Sequence, residues 1–381
     1  MAFIRSFRIE GLVGRKSDCS FSLNEGVNVF FGPNGSGKTS LLRILHSALS
    51  GDADMLKDVP FSKAEVVIFS YAQKSDFTYT LDTTSKNPSP PPSIVRAAAA
   101  GLRRPVRKKT PWQVAPPLDN HAWFHKYLPI SRLYASPNLP PTFLYSEQSP
   151  TSEEALEAQF AQNLAQIWKD YSADVAREVN KAQEAGLARI LEAVISRSES
   201  SPDPESGDPA KAYRAVSNFL SRRGMHNISL SDREFLRRYK VEPQLRSVAT
   251  DIEAVERRIA AVTQPREDFK RLANELFFGG KLLGFTEKGD IEVAVENKKI
   301  SLSMLSSGEK QLLRILVDTL ATGPFMILID EPELSMHVDW QRRLIPSMSI
   351  LNPSAQMIFT THSPEIMADL PDNEIFRLWR D

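Results

Sequence analysis

Residues 305–333 read LSSGEKQLLRILVDTLATGPFMILIDEPE, and the fold is decided there. A short polar turn leads into a helix, Gly323-Pro324 breaks it, an apolar run from Phe325 to Ile329 follows, and two acids, Asp330 and Glu331, close the run. Five consecutive apolar residues suit a parallel strand covered on both faces. Open α/β sheets bind ligands at the carboxyl ends of such strands. Adjacent acids at a buried strand end repel each other and lose hydration, so they call for a cation or for a proton to move. The stretch therefore predicts a site at this edge.

Far upstream, Gly32-Pro33-Asn34-Gly35-Ser36-Gly37-Lys38-Thr39 satisfies the phosphate-loop pattern G-x-x-x-x-G-K-[ST]. An apolar strand, Val27 to Phe31, precedes it, and an amphipathic helix carrying Leu41, Leu42, Ile44, Leu45 and Leu49 follows. The glycines let successive backbone N–H groups turn inward around phosphate oxygens, and the helix N-terminus adds partial positive charge. Lys38 is expected to reach the β- and γ-phosphates, and the Thr39 hydroxyl to ligate magnesium.

Composition sets the bounds. A chain of 381 residues has room for two or three lobes. Lys+Arg and Asp+Glu both number 47, so overall charge gives no argument for nucleic acid or membrane, and any basic surface must be local. The single cysteine, Cys19, excludes an intramolecular disulfide and a cysteine-built zinc site. No apolar run reaches signal-peptide or membrane-spanning length, and a cytoplasmic protein without a membrane partner is expected.

Residues 2–31 pattern as β-structure, and the helix from Thr39 runs to Gly51. A hairpin is expected with Glu65 to Tyr71 and Phe77 to Leu81 as its arms and Gln73 in the turn. Residues 83–120 are broken by eight prolines and hold Arg103, Arg104, Arg107, Lys108 and Lys109, the densest positive cluster in the chain. That cluster reads either as a solvated loop or as a sequence-blind contact to the phosphates of DNA or RNA. Tyr127 to Tyr134 reads as a strand re-entering the core. Leu156, Phe160, Leu164, Ile167, Tyr171, Val175 and Val179 then recur at helical spacing, extended by Leu187, Ile190 and Val194. After a polar breaker at residues 198–210, Ser231-x-x-Glu234 signals a helix start, and Leu245, Val248, Ile252, Val255, Ile259 and Val262 alternate in threes and fours. An antiparallel helical hairpin follows, broken and shortened by Pro243 and Pro265. Strand patterning resumes at Ile291 to Val295 and at Ile300 and Leu302. Beyond the acid pair come a helix, Asp339 to Leu351, and a buried strand, Gln356 to Thr360, ending in Thr361-His362-Ser363-Pro364. Three segments result: 1–150 and 279–381 as two lobes of one head, and 151–278 as an inserted helical arm.

Taken together these motifs resemble the ABC-type ATPases. Leu305 to Gln311 resembles their signature loop, Phe325 to Glu331 their magnesium strand, Leu334-Ser335-Met336-His337 their dimer-contact loop, and His362 their switch histidine. The string DEPE, a following His and THSPE are similar to the SMC/RecF-like and OLD-like branch. The resemblance implies an α/β phosphate-loop head, with a mixed or parallel sheet flanked by helices, and an inserted helical hairpin or coiled-coil subdomain. It implies ATP and Mg2+ as cofactors, bound through Asn34, Gly35, Ser36, Gly37, Lys38, Thr39 and Ser40, with Asp330 joining Thr39 at the metal. Glu331 is then the general base, and Gln73 stands where these ATPases carry a water- or magnesium-sensing glutamine, if it is not merely a solvated turn residue. His362, which alone would read as structural, becomes a γ-phosphate contact. Ser306 and Gly308 are expected to come from a second copy of the chain, so the partner is the chain itself. Ser307 departs from the pattern, standing where a second glycine is commonest. The THSPE ending and the short insertion resemble ATPase subunits of retron, Septu or PARIS-type anti-phage systems, which hold a separate effector such as a nuclease. Residues 363–381 are too few for a nuclease domain of the OLD-like kind. A DNA-repair or chromosome-organising ATPase that clamps DNA is the alternative, and a transporter subunit a third.

Overall fold

The computed structural model describes residues 1–83, 111–118, 122–129, 153–195, 208–222 and 231–378. The basic cluster at Arg103, Arg104, Arg107, Lys108 and Lys109 lies outside them, as do the residues beyond Pro129 in the expected 127–134 strand. Two compact units emerge: Met1–Ile167 with Leu272–Asp381, and Trp168–Arg271.

Among the described residues the first unit is built on three sheets. The parallel sheet holds β3 (Val27–Phe31), β7 (His125–Leu128), β11 (Met326–Asp330), β12 (Met357–Thr361) and β13 (Ile375–Arg377), in the order β13-β3-β12-β11-β7. Every residue of β11 and β12 is buried, as expected of strands with both faces covered. The expected run Phe325–Ile329 shifts by one residue, because Asp330 still pairs with Thr360 while Phe325 stays outside the ladder. An antiparallel sheet packs beside it, in the order β2-β1-β4-β5-β6, from β1 (Ala2–Glu10), β2 (Cys19–Ser22), β4 (Lys63–Ser70), β5 (Ser75–Asp82) and β6 (Gln113–Ala115). In β4 buried and half-buried residues alternate strictly, so one face meets the core. The core lies between these sheets and α1 (Lys38–Ser50), and includes Ile4, Phe7, Phe30, Leu45, Tyr79 and Leu328. The side chain of Gln356 joins the sheets: it accepts from the Ile4 amide at 2.8 Å and donates to the carbonyls of Ile4 and Asn24, both at 2.8 Å. A third sheet, β8 (Lys281–Phe285), β9 (Ile291–Val295) and β10 (Lys298–Ile300), ends before Leu302, which instead opens a 3-10 turn capped by the Ser301 side chain.

The second unit is helical. Its parts are the later turns of α2 (Glu153–Ile195), α3 (Pro209–Arg222), α4 (Asp232–Val241) and the greater part of α5 (Pro243–Leu276). Trp168 packs on Phe269, Ala182 on Val255 and Ile259, and Ile190 on the cluster containing Ala249 and Ile252. Residue numbers thus rise along α2 as they fall along α5, so the pair is antiparallel. Pro243 does mark a break, between α4 and α5. Pro265 does not: α5 runs through it for 34 residues. The lost N–H costs the carbonyl of Ala261 its helical donor, but buried Val255, Ile259 and Phe269 hold both sides of the proline. Leu187, expected on the buried stripe, is 40 % exposed, and Gly186 takes its place. A Cβ on Gly186 would lie 2.1 Å from Val255 Cγ2, so this contact between the two helices leaves no room for a side chain.

In the first unit His46 Nδ1 lies 2.7 Å from His125 Nε2, and His125 Nδ1 lies 2.7 Å from the carbonyl of Trp123. A carbonyl only accepts, so His125 is protonated at Nδ1 and its Nε2 accepts from His46. Burial, and then the neighbouring ring, lower His46 to about 3, and burial also lowers His125. Unfolded, both titrate near ~6.5, so the unfolded chain binds more protons below that value. The pair's contribution to stability is present above pH ~6.5 and is lost as pH falls below it, for His46 down to about 3, at up to ~1.4 kcal/mol per pH unit for each ring. Urea midpoints measured between pH 7.5 and 5 should fall with pH, and the fall should flatten in the double variant His46→Gln, His125→Gln.

Candidate functional site

Parallel register brings the expected residues to one edge. Phe31 of β3 lies opposite Thr361 of β12, and Thr360 opposite Asp330 of β11. The phosphate loop leaves β3, His362 follows β12, and Glu331 follows β11, so all three emerge at the carboxyl end of the sheet. They line one cleft of about 380 Å³, formed by residues 34–39, Glu331, Leu334 and His362.

The loop turns through left-handed Gly35 (φ 78) and Gly37 (φ 93), conformations open to glycine, and enters α1 at Lys38. The Lys38 ammonium is buried. Its Nζ donates to the carbonyls of Gly32 (2.8 Å) and Pro33 (3.1 Å) and lies 3.2 Å from Glu331 Oε1. The cation is thus held at the mouth of the loop between main-chain dipoles and the acid. Thr39 lines the same cleft. Ser40, one residue further along α1, does not line it.

Glu331 is 8 % exposed and sits at φ 46, a left-handed conformation that is strained for a residue with a Cβ. Its amide is held by the carbonyl of Thr360 at 2.9 Å, and its Oε2 meets His362 Nδ1. Lys38 and His362 therefore grip the two oxygens of one carboxylate. Asp330 is deeper, 1 % exposed, and its Oδ1 accepts from the Thr360 hydroxyl at 2.6 Å. Of the two expected magnesium ligands, Thr39 faces the cleft and Asp330 stands beneath it. The strand-end acids expected from residues 325–331 are in place, and a third acid joins them. Glu333 is 5 % exposed, and burial, then the neighbouring Glu331 carboxyl, push it above the usual carboxylate range. Ligand-type atoms of Glu331, Glu333 and His362 all lie within 4.8 Å of one another. Sequence reasoning passed over Glu333 as part of the DEPE string. The available signal was a third acid, too close to the strand end to escape burial.

Ser306 and Gly308 lie elsewhere and do not line the cleft. The helix α6 (Ser307–Thr322) begins at Ser307 because Ser306 caps it: the Ser306 side chain accepts from the Glu309 amide, and Glu309 Oε2 accepts from the Ser306 amide at 2.8 Å. Ser306 is exposed and Gly308 buried. Gln73 is exposed in the turn between β4 and β5, outside the cleft. Leu334 lines the cleft, and His337 caps α7 (Val338–Leu351).

Residues 170–368 match the family described as AAA domain, putative AbiEii toxin, Type IV TA system, and residues 4–113 match a second family, AAA domain. Over 93 % of its length the chain is 21 % identical to the Retron Vc95 probable ATPase of Vibrio cholerae, covering 69 % of that protein. Over 24 % of its length it is 31 % identical to the Septu protein PtuA of Bacillus thuringiensis, covering 27 % of that protein. Among solved structures it is similar to an Smc head domain with an extended coiled coil from Pyrococcus furiosus: 14 % identity, TM-score 0.42, covering 97 % of this chain and 92 % of that one. No helix among the described residues is long and apolar enough to cross a membrane.

A Cβ on Gly308 would stand 2.3 Å from the backbone carbonyl of Ser335 and 3.1 Å from the Trp340 ring. A carbonyl in a loop at left-handed Ser335 (φ 62) has little room to retreat. Gly308→Ala should therefore destabilise the chain by ~1–3 kcal/mol, read as a lower urea midpoint. Ser307→Ala, at an exposed neighbour, should leave the midpoint within ~0.5 kcal/mol of the native value.

Proposed function

The chain belongs to the AAA-domain family described as putative AbiEii toxin, Type IV TA system, and from that premise we propose that it is an ATPase whose two copies close over ATP, serving as the regulatory subunit of an anti-phage system with a separate effector. The observation that carries the ATPase reading is the meeting of Lys38, Glu331 and His362 in the phosphate-loop cleft.

The phosphate loop, residues 34–39, and the N-terminus of α1 receive the β- and γ-phosphates. Lys38 exchanges the carbonyls of Gly32 and Pro33 for phosphate oxygens, which releases Oε1 of Glu331 to face the cleft. Glu331 accepts a proton as water attacks the γ-phosphorus and the bond to the ADP oxygen breaks, a role worth ~10²–10⁴-fold in rate. His362 orients the Glu331 carboxylate through Oε2 and meets the γ-phosphate from the strand end. Thr39 and Asp330 offer the oxygen donors that magnesium prefers, with Asp330 already oriented by Thr360. Magnesium bound there would neutralise phosphate charge. Ser306, exposed at the N-terminus of α6 and outside the cleft, suits a γ-phosphate brought by a second copy.

The defence assignment is supported by the likeness to relatives named as a retron probable ATPase and a Septu protein, and the separate effector is what the resemblance to ATPase subunits of anti-phage systems implies. The alternative, an ATPase that clamps DNA, makes a different prediction about partners. Co-purification with the products of neighbouring genes should return an effector protein, whereas recovery of DNA alone would favour the clamp.

Glu331→Gln should bind a fluorescent ATP analogue as the native chain does, release phosphate ~10²–10⁴-fold more slowly, and accumulate as a dimer with ATP and magnesium by light scattering. Unchanged phosphate release would assign the base elsewhere. Lys38→Ala should lose nucleotide binding by the same fluorescence titration, and retained affinity would contradict the phosphate-loop reading.

A further inference from the structure

Glu333 lies two residues past the acid pair, is buried, and has no part in the mechanism above. Its Oε1 accepts from the Thr361 hydroxyl and from the backbone amides of His362 (3.0 Å) and Ser363 (3.2 Å). The same oxygen lies 3.1 Å from His362 Nδ1. All these partners belong to residues 361–363, the turn by which the chain leaves β12. Covering the protein in apolar contacts would not require such an arrangement, because a buried carboxylate is costly unless hydrogen-bonded. The bonds converge on the one short segment that presents His362 to Glu331. Thr361 adds a second tie, since its hydroxyl oxygen accepts from the Ser363 amide at 2.9 Å.

We propose that Glu333 is a positioning residue: its carboxylate fastens the 361–363 turn so that the His362 ring meets Glu331 at the geometry hydrolysis requires. This deepens, and rests on, the ATPase reading of the same cleft. Glu331 is itself fixed in a left-handed backbone conformation, so the histidine side of the contact is the side left to be held. Loosening the turn misplaces His362 without touching the phosphate loop, and displacements of ~1 Å near a reaction centre can cost ~10²-fold in rate. The proposal therefore predicts a loss in turnover separated from nucleotide affinity, which general destabilisation would not produce.

The test uses the full chain with Glu333→Ala and Glu333→Gln, reading ATP turnover, affinity for a fluorescent ATP analogue, and hydrogen exchange at the amides of residues 362 and 363. Glu333→Ala should lower kcat by ~10²-fold with affinity within ~2-fold of native, and both amides should exchange faster. Glu333→Gln keeps an oxygen for the amides but loses the charge facing His362, and should recover ~10-fold of that loss. The proposal is overturned by native kcat in Glu333→Ala, by affinity and kcat falling together, or by a glutamine variant as impaired as the alanine one. If Glu333→Ala does not fold, the glutamine variant decides: a lowered kcat at native affinity supports the proposal, and native kcat overturns it. If the native chain does not hydrolyse ATP, the ATPase reading fails first. Amide exchange then decides the positioning claim alone, and exchange unchanged in both variants overturns it.

Discussion

The parallel pairing of β3, β12 and β11 is the constraint on which the site depends. Because the three strands run the same way and in register, with Phe31 beside Thr361 and Thr360 beside Asp330, whatever follows each strand emerges at the same edge. The phosphate loop, the His362 turn and the acid run are remote in sequence, yet the ladder makes them neighbours. The buried Gln356 side chain adds to this at the entry to β12, bonding twice to the main chain of Ile4 in β1 of the other sheet and once to that of Asn24. An amide bonded in this way resists sliding of one sheet on the other, which apolar contacts alone do less well.

At that edge the chain concentrates charge that it must balance internally. Three acids, Asp330, Glu331 and Glu333, are at most 8 % exposed. Each has a specific partner: Thr360 for Asp330, Lys38 and His362 for Glu331, and the 361–363 turn for Glu333. Such clustering is costly in a structural core and suits a polyphosphate-binding edge, where protons and cations are exchanged.

Much of this was legible in the sequence because its signals are local. The phosphate loop is a contiguous motif, and the flanking strand and helix could be read from apolar runs. The expected hairpin, Glu65 to Tyr71 and Phe77 to Leu81, falls on β4 and β5 with Tyr71 one residue past the end of β4, since alternation marks a sheet with one covered face. What was missed depends on partners distant in sequence. Glu333 gains its bonds from residues nearly thirty positions away, and Gln356 from the opposite end of the chain. The residue at which α6 starts was not legible, because a cap is a backbone geometry and not a change in hydrophobicity. Pro265 was expected to break a helix on propensity, but buried residues on either side outweigh one missing hydrogen bond. Leu187 was placed on the buried stripe by its apolar character, whereas a glycine occupies the line of contact.

That glycine has a consequence for how such an arm can change length. Gly186 against Val255 and Trp168 against Phe269 are two fixed points on a pair of rods, and together they set the phase of one rod to the other. Inserting a single residue between them in one helix would turn everything beyond it by ~100° and carry a charged flank onto the seam. Variants of this arm that keep the seam dry should therefore differ by whole turns, added to both helices at once.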